Sequence, residues 1–465
     1  MAFSQQQTAR RRKTLEILRR LRNLEKQPVQ ALEQASGAKL LRLLDHTQSS
    51  SWWRAHLGNN SRLLNSHTLA ADILPELPIL TRAKVQQNLD WMRIWIPNSE
   101  PDEYSEISTS GSTGLPVRVV QHLPRYLPAY SAIELLDLQW SGRDSNKNVG
   151  YFRITDPRTS KSAMPEPFSY LGGSGSVVYR NVLKLTSREM LQVIANEDVA
   201  YLSVNANVHR LLALEQLERP VKGVNLEQLI SWADPVSSEL RGLAARVFGA
   251  RIIDRYSSSE LGYLAVQCPV HDHLHAPQIQ NYIEILDSAN KPASRGELGR
   301  VVVTSLDNYS QPMIRYELGD MARWGETCSA GFSFPVIEPG IVRERELRHS
   351  ADGTTLVPHP DGLTLVKSGG FIRYQVLEFT NQLVLLAEFS RKIEDAELEE
   401  AEQELAAQFG NATPARIVEL PATQALLLST WKNKRVLGFD HPAPVDLNVG
   451  ELLALVPQYR PKEFS

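Results

Sequence analysis

Residues 108–116 form a short segment rich in hydroxyl groups and glycine, with the sequence Ser-Thr-Ser-Gly-Ser-Thr-Gly-Leu-Pro. Glycine lets backbone N–H groups approach a ligand closely, and Ser and Thr hydroxyls can rotate toward oxyanions. The pattern predicts either a flexible cradle for phosphates or a solvated turn, because Ser/Gly runs are also common in linkers. It is not a kinase-type phosphate loop, since no Gly-Lys-Ser/Thr follows. The candidate phosphate ligands are Thr109, Ser110, Gly111, Ser112, Thr113 and Gly114.

A second polar segment, residues 256–262, follows a predicted short strand at residues 251–255 and has the sequence Tyr-Ser-Ser-Ser-Glu-Leu-Gly. A hydroxyl beside a carboxylate at the end of a strand suits a site where Ser259 contacts a phosphate and Glu260 holds Mg²⁺. Tyr256 offers a flat face to a nucleobase. Polar loops that end in Glu are common, so this segment alone also fits a purely structural loop.

The third segment, residues 312–320, has the sequence Pro-Met-Ile-Arg-Tyr-Glu-Leu-Gly-Asp. Its apolar strand is predicted to carry Arg315 and Tyr316 into a turn in which Asp320 follows glycine. Such an Asp can accept hydrogen bonds from both hydroxyls of a ribose. An Asx-type turn or a helix cap explains it equally well.

The elements around these segments predict an α/β chain of two domains. Apolar spacing and capping residues predict helices, and two runs predict strands at residues 280–286 and 299–304. We expect short strands and turns over residues 150–208. The expected division is a large, helix-layered mixed-sheet domain over residues 1–340 and a small α+β domain over residues 341–465. The predicted helices cover residues 8–26, 82–92, 125–140, 209–217, 226–230, 237–248 and 394–409.

Composition sets broad limits on the function. The chain has 465 residues and a net charge of −3, so nothing in its overall charge predicts nucleic-acid binding. Two cysteines exclude a disulfide scaffold and fit a reducing compartment. We find no signal-peptide core and no apolar run long enough for a membrane span, and we expect a cytoplasmic protein. The basic first helix is interpreted as a solvated face on a core-packed helix rather than a membrane-surface helix.

The three segments in this order resemble the adenylate-forming enzymes, specifically the phenylacetate–CoA ligase branch and its capsule-biosynthesis-type relatives. The resemblance extends from residues 77–82 to near the C-terminus. Residues 109–116 are similar to the family's phosphate loop, and residues 254–260 to its Tyr-Gly-x-Ser/Thr-Glu motif. Residues 296–304 and 312–320 are similar to its Gly-Glu-x-Gly…Arg-Tyr-x-x-Gly-Asp block.

The resemblance implies an enzyme that uses ATP and Mg²⁺ to join a carboxylic acid to AMP, releasing pyrophosphate, and then passes the acyl group to coenzyme A. It implies nucleotide contacts from Asp254 and Tyr256, a hinge or ribose role for Arg343, and a catalytic C-terminal lysine at Lys432, with Lys434 as its competitor. Transfer to a carrier-protein pantetheine or an amine in a biosynthetic pathway, or nucleotide binding without turnover, are the alternatives. A homodimer is left open.

The sequence departs from the family pattern at two points. Ser257 stands where glycine is usual, and residues 342–346, Val-Arg-Glu-Arg-Glu, lack the glycine of the interdomain hinge. The hinge change raises the possibility of an altered second half-reaction. The resemblance places the acid pocket among residues 151–178, the turn at residues 231–235 and Gly262 with Tyr263. The turn residues are Trp232, Ala233 and Asp234, and an aromatic or other apolar acid is the default expectation.

A cluster of metal-ligand types occupies residues 268–275, Cys-x-x-His-x-His-x-His. With the distant Cys328 it offers mixed sulfur and nitrogen ligands suited to tetrahedral Zn²⁺. Many relatives hold a structural zinc with Cys, His and a later Cys-x-Cys. Here residues 328–330 are Cys-Ser-Ala, so one thiolate is missing. Cys268, His275 and Cys328 are the candidate ligands, with His271 or His273 as the substitute, and an empty site or solvated histidines remain the alternatives.

Overall fold

The computed structural model describes residues 5–58, 69–108, 117–153, 170–350, 352–411, 413–421, 436–444 and 446–455. Over these ranges the chain is a mixed α/β protein, as predicted. In these ranges no helix combines the length and apolar character needed to cross a membrane. The helices are α1 (Gln5–Leu24), α2 (Val29–Thr47), α3 (Ser51–Leu57), α4 (Ala70–Ile73), α5 (Arg82–Met92), α6 (Leu123–Trp140), α7 (Ser187–Asn196), α8 (Ala206–Glu218), α9 (Ser238–Phe248), α10 (Thr364–Lys367), α11 (Asp395–Gln408) and α12 (Val449–Leu455).

The strands form two large sheets, two small hairpin-like pairs and a C-terminal sheet. They are β1 (Tyr104–Ser108), β2 (Arg118–His122), β3 (Asn148–Arg153), β4 (Val177–Asn181), β5 (Val199–Ser203), β6 (Gln228–Ser231), β7 (Arg251–Ser258), β8 (Gly262–Gln267), β9 (Leu274–His275), β10 (Asn281–Leu286), β11 (Gly299–Ser305), β12 (Tyr316–Ala322), β13 (Val336–Ile337), β14 (Val342–Arg343), β15 (Arg348–His349), β16 (Thr355–Leu356), β17 (Phe371–Glu378), β18 (Leu383–Phe389), β19 (Ala415–Glu419) and β20 (Val436–Gly438).

The largest sheet has the order β13-β9-β8-β7-β6-β5-β3-β4. The strands from β4 to β7 are parallel, and those from β7 to β13 are antiparallel. Apolar side chains of α7, α8 and α9 pack on one face of the parallel part, and α6 packs on the other. In such a sheet the carboxyl ends of parallel strands lie at one edge, where ligands bind. That edge therefore gathers the residues at the ends of β3, β5 and β6.

The second sheet, β10-β11-β12-β14, is antiparallel and carries the third polar segment. Arg315 precedes β12 with φ at 50°, forms an ion pair with Glu284 at 2.9 Å, and donates to the carbonyl of Leu77 at 2.6 Å. Strand β11, buried except at Arg300, and an isolated bridge from Leu80 to Tyr316 complete this layer. These contacts fix the start of β12, which bears Asp320.

The remaining strands form two two-stranded sheets and a four-stranded sheet in the C-terminal part of the chain. β1 and β2 are antiparallel, with Ser108 opposite Arg118, so the predicted phosphate loop joins their ends but itself lies outside the described residues. In the C-terminal part, the sheet β19-β18-β17-β20 has its own core, formed by strand side chains with α10 and α11 on one face and α12 on the other.

Local capping residues predict helix α9 correctly. At residues 226–230, burial in the large sheet decides the structure instead of the local sequence pattern. The helix α9 is confirmed: Ser237 Oγ accepts from the N–H of Leu240 at 3.2 Å, and Gly249 ends it with φ at 66°. The helix predicted at residues 226–230 is wrong, because this segment forms strand β6, buried in the parallel sheet. In a run of only five residues, the spacing of apolar side chains does not distinguish a buried strand from a helix. The helix α7 was missed inside residues 150–208 despite its capping box at Thr186 and Glu189.

Candidate functional site

Tyr256 and Arg343 hold the Asp320 carboxylate between them. The Tyr256 hydroxyl donates to Oδ2 of Asp320 at 2.8 Å, and Nη1 of Arg343 lies 2.8 Å from Oδ1. Asp320 and Tyr256 are buried, whereas the Arg343 side chain is about half exposed. The structure thus brings together three residues that the sequence assigned to nucleotide binding, from strands β7, β12 and β14.

A bulge in β12 aims Asp320 at this site, and the prediction that Asp320 lies in a turn is wrong. Between the pairs Val302–Glu317 and Arg300–Met321, β12 has three residues where β11 has one. Gly319 lies in this bulge with φ at 77°, a conformation that suits glycine. Bulges redirect side chains beside sites, and this one turns Asp320 toward Tyr256 while keeping it in the strand.

Burial raises the pKa of Asp320 from 3.8 to about 6, and the positive charge of Arg343 and the Tyr256 hydrogen bond oppose this rise only in part. Because the folded-state pKa is higher than the unfolded one, folding favours the protonated carboxyl. That contribution to stability is present below about pH 4 and is lost as the pH rises through about 6. If Asp320 accepts from both hydroxyls of a ribose, as the sequence predicts, ligand binding should have the opposite preference and favour the ionised carboxylate.

We therefore expect the affinity for adenosine to fall about fourfold between pH 7.5 and pH 5.5, as an acid of pKa near 6 is protonated. Adenosine is the suitable probe for calorimetry because it has no phosphate that titrates in this range. Asp320→Asn should bind adenosine weakly and with no such pH dependence. An unchanged pH profile in this variant would contradict the assignment of Asp320.

Glu260 lies in the turn between β7 and β8, close to a cation from another part of the chain. Its Oε1 is 3.5 Å from Nη1 of Arg82, and its backbone carbonyl accepts from the Nε2 amide of Gln121 at 3.4 Å. Gln121 belongs to β2, so the base of the β1–β2 hairpin adjoins Glu260. The predicted phosphate loop is thus tied, through its flanking strand, to the turn that carries Glu260.

Sequence reasoning missed Arg82 as a site residue. It opens helix α5 directly after the N-cap Thr81, whose hydroxyl accepts from the N–H of Lys84 at 3.3 Å. A cation in the first turn is disfavoured by the helix dipole, so an arginine there indicates an anionic partner. That signal was available in the sequence, but it does not identify Glu260 as the partner.

The other predicted nucleotide residues differ in their placement. Ser259 is exposed beside Glu260. Asp254 faces a different environment: its backbone N–H donates to Gln267 at 2.7 Å, and burial raises its pKa to about 6 while Arg241 opposes the rise. Its recorded contacts do not include Tyr256, Glu260 or Asp320. The loop residues 109–114 and Lys432 lie outside the part of the chain that the structure describes.

Gly262 and Tyr263 lie close to two tyrosines of α6, Tyr126 and Tyr130. The rings of Tyr126, Tyr130 and Tyr263 form a tyrosine wall near Glu260. The Tyr263 and Tyr130 ring centroids are 4.7 Å apart, and those of Tyr130 and Tyr126 are 5.7 Å apart. A Cβ on Gly262 would lie 2.5 Å from the Tyr126 hydroxyl oxygen, and its φ is 76°. Glycine is therefore required there both for its conformation and for the close approach of the backbone to this wall.

The turn after β6 is held in a strained shape. Ala233 has φ at 73°, which costs a non-glycine residue on the order of 1 kcal/mol. The following Asp234 accepts from the side-chain amides of Asn205 at 3.0 Å and Asn207 at 3.4 Å, both at the start of α8. The turn carrying Trp232 is thus fixed at the same sheet edge as the ends of β3 and β5.

Cys268, His275 and Cys328 also come together, and the fourth member is His273. One ligand atom from each of the four lies within 4.8 Å of all the others. The two sulfurs are 3.9 Å apart, and the two histidine Nε2 atoms are 3.3 Å apart. Tetrahedral zinc with ordinary bond lengths requires about 3.8 Å and about 3.3 Å for these pairs. The His275 Nδ1–H donates to the Phe334 carbonyl at 2.8 Å, which leaves Nε2 free of a proton to bind metal.

Comparison with known proteins identifies the fold. No family model and no curated protein matches the chain. Among solved structures, a 2-hydroxyisobutyryl-CoA ligase in the postadenylation state has a TM-score of 0.75 at 17% identity, covering 92% of this chain and 94% of its own. An anthranilate CoA ligase with anthranoyl-AMP has a TM-score of 0.52 at 14% identity, covering 78% of this chain and 73% of its own.

An amide bond synthetase, McbA from Marinactinospora thermotolerans, has a TM-score of 0.50 at 14% identity, with 70% of this chain and 67% of its own covered. At these identities the likeness concerns the fold. The predicted fold class is confirmed over most of the chain. From its strand order, its central site and these matches, we conclude that this protein has the fold of the adenylate-forming ligases.

Proposed function

We propose that this protein activates a carboxylic acid with ATP as an acyl adenylate and then transfers the acyl group to coenzyme A. The observation that carries the proposal is the convergence of Tyr256, Asp320 and Arg343 beside Glu260 and the base of the β1–β2 hairpin. On the same fold, the 2-hydroxyisobutyryl-CoA ligase and the anthranilate CoA ligase each hold an acid as its AMP adduct. The substrate class is an aryl or other organic acid.

In the first step a carboxylate oxygen of the acid attacks the α-phosphorus of ATP and the bond to pyrophosphate breaks. The obstacle is the approach of one anion to another, and preorganised cations and N–H dipoles lower it. We assign Asp320 to the ribose hydroxyls, with Tyr256 fixing its orientation and offering a flat face to adenine. Residues 109–114 and Ser259 bind phosphates, and Lys432 donates to the reacting oxygens.

Glu260 is the residue that would hold Mg²⁺. Its carboxylate offers the hard oxygen ligands that Mg²⁺ prefers, and its 3.5 Å separation from Arg82 is longer than an ordinary hydrogen bond, so the oxygens retain binding capacity. When bound, the metal supplies charge neutralisation at the phosphates. Before the metal binds, Arg82 offsets the negative charge of the Glu260 carboxylate.

In the second step the thiolate of coenzyme A attacks the acyl carbon and AMP leaves. We propose that residues 341–465 form a small mobile domain that reorients against residues 1–340 between the steps, with Arg343 at the start of the hinge. A carrier-protein pantetheine or an amine is the alternative acceptor, and the likeness to an amide bond synthetase favours testing amines. The irregular residues 342–346 keep nucleotide binding without turnover as the remaining alternative.

The decisive assay is carboxylate-dependent exchange of labelled pyrophosphate into ATP, run across aryl, aliphatic and amino acids. Exchange that requires both an acid and Mg²⁺ supports adenylation. Binding of ATP with no exchange for any acid would favour the nucleotide-binding alternative. Product analysis with coenzyme A, a carrier protein and amines in separate reactions then identifies the acceptor.

We also propose that Cys268, His273, His275 and Cys328 hold a structural zinc ion, because their separations fit a tetrahedral site. These residues tie the β8–β9 region to the segment that precedes β13. Zinc bound there would stabilise the antiparallel end of the large sheet. The cluster has no recorded contact with Tyr256, Glu260 or Asp320, so its role is in folding.

His271 and His273 provide a matched test of this ligand set. His271 Nδ1 is 3.5 Å from the Cys268 sulfur, yet His271 is not in the set of four. We expect about one zinc ion per chain by elemental analysis. His273→Ala should lower zinc affinity by at least about 100-fold and reduce the melting temperature, whereas His271→Ala should retain the metal. Equal zinc content in both variants, or none in the wild type, would refute the assignment.

A further inference from the structure

A partly buried arginine, Arg153, lies beside the proposed acid pocket and has no carboxylate partner among the residues that the structure describes. Arg153 ends strand β3, at the carboxyl edge of the parallel sheet. Its guanidinium lies over the Trp232 ring at 4.4 Å and the Tyr151 ring at 5.1 Å. Burial lowers the pKa of Arg153, with Tyr151, Tyr130 and Tyr263 opposing the change only in part. The residue nevertheless retains some accessible surface.

The hydrogen bonds of Arg153 leave part of its donor capacity unused. Nη1 donates to the carbonyls of Phe152 at 3.1 Å and Ser203 at 2.7 Å, and Nη2 donates to the Ser203 hydroxyl at 3.2 Å. A guanidinium has five N–H donors, and these contacts use three of them. All three acceptors are neutral, and no carboxylate of the described ranges forms an ion pair with Arg153.

Three other cations that are removed from solvent pair with carboxylates. Arg255 donates through Nε to the Asp137 carboxylate at 2.9 Å, Arg315 pairs with Glu284 at 2.9 Å, and Lys39 pairs with Asp307 at 2.6 Å. Burying a charge is costly unless it is paired, so an arginine kept without an internal anion indicates one supplied from outside. Arg153 contacts Trp232 and interacts electrostatically with Tyr263, and both of these residues belong to the predicted acid pocket.

We propose that Arg153 binds a second anionic oxygen group on the acid, so that the substrate is a dicarboxylic acid or an acid with an equivalent oxyanion at its far end. This inference rests on the proposed function, since it assigns the acid of that same site. One carboxylate reacts near Glu260, and the other accepts from the remaining guanidinium donors. The tyrosine and tryptophan rings suit a flat or compact body between them. A purely apolar acid would leave Arg153 unpaired.

The test compares matched pairs of acids in the pyrophosphate exchange assay, such as benzoate with its three phthalate isomers and pentanoate with glutarate. We expect the diacid of at least one pair to have the higher kcat/KM in the wild type. Arg153→Met should lower kcat/KM for that diacid by about 100-fold while leaving the parent monoacid unchanged or improved. A merely structural arginine would lower both members equally, and that result, or a wild-type preference for monoacids in every pair, would overturn the proposal.

Arg180 on the neighbouring strand β4 supplies the control. It also donates to the carbonyl of the residue before it, Tyr179, at 2.8 Å, but it pairs with Glu197 at 2.9 Å. Arg180→Met should leave the diacid preference intact. If no acid supports exchange, the proposed function fails, and calorimetric titration of the same diacids decides this inference separately. Diacid binding that requires Arg153 sustains it, whereas binding equal in Arg153→Met, or absent for all of them, overturns it.

Discussion

Glu260→Gln is expected to lower acid-dependent pyrophosphate exchange by about 100- to 1,000-fold, because an amide oxygen is a much weaker ligand for Mg²⁺ than a carboxylate. The replacement has nearly the same shape, and Glu260 is joined to Arg82 only by a 3.5 Å contact. The melting temperature should therefore change little. The measurement is the exchange rate as a function of Mg²⁺ concentration, and the variant should require far more metal to reach half of its maximal rate.

Glu317→Gln is the matched control for this experiment. Glu317 also pairs with an arginine, Arg300, and lies on β12 three residues before Asp320, outside the proposed site. Its exchange rate should remain within about twofold of the wild type, as is usual for a part-exposed ion pair. Full activity of Glu260→Gln at low Mg²⁺ would show that this carboxylate is not the metal ligand.

Lys432→Ala is expected to reduce exchange by about 1,000-fold, because the lysine is assigned to the oxygens where negative charge develops. Its effect should be confined to the first step. Given the acyl adenylate synthesised chemically, the variant should still form the thioester with coenzyme A at nearly the normal rate. Measuring both half-reactions on one preparation separates the loss of a catalytic cation from misfolding.

Lys434→Ala provides the comparison, since Lys434 lies two residues away in the same basic segment. It should retain most of the exchange activity. If Lys432→Ala keeps full exchange and Lys434→Ala loses it, the two assignments are reversed. If both variants keep full exchange, the catalytic lysine lies elsewhere in the chain.

Sequence patterns predicted the features that local chemistry determines. The limits of α9 follow from a serine cap, Ser237, and a terminal glycine, Gly249. The strands at residues 280–286 and 299–304 follow from the loss of the helical period in this region and are confirmed as β10 and β11. Each of these signals is contained within about ten consecutive residues.

Features that depend on distant parts of the chain were missed or misjudged. The bulge that aims Asp320 arises from its register with β11, and no local pattern encodes that register. Arg82 lies beside Glu260 only because α5 packs near the turn that carries this glutamate. His273 could not be separated from His271 by spacing, since both lie in the same short run. Arg153 showed no signal at all, because the lack of a carboxylate partner among the described residues is recognised only when its neighbours in space are known.

The most direct test of the account is a crystal structure of the protein soaked with ATP and Mg²⁺. We expect one nucleotide with its ribose hydroxyls within hydrogen-bond distance of Asp320, its adenine beside Tyr256, and its phosphates between Glu260 and the loop that contains Ser112. A nucleotide bound elsewhere, or these residues facing unrelated surfaces, would contradict the proposal that a single pocket assembles the acid and ATP for reaction.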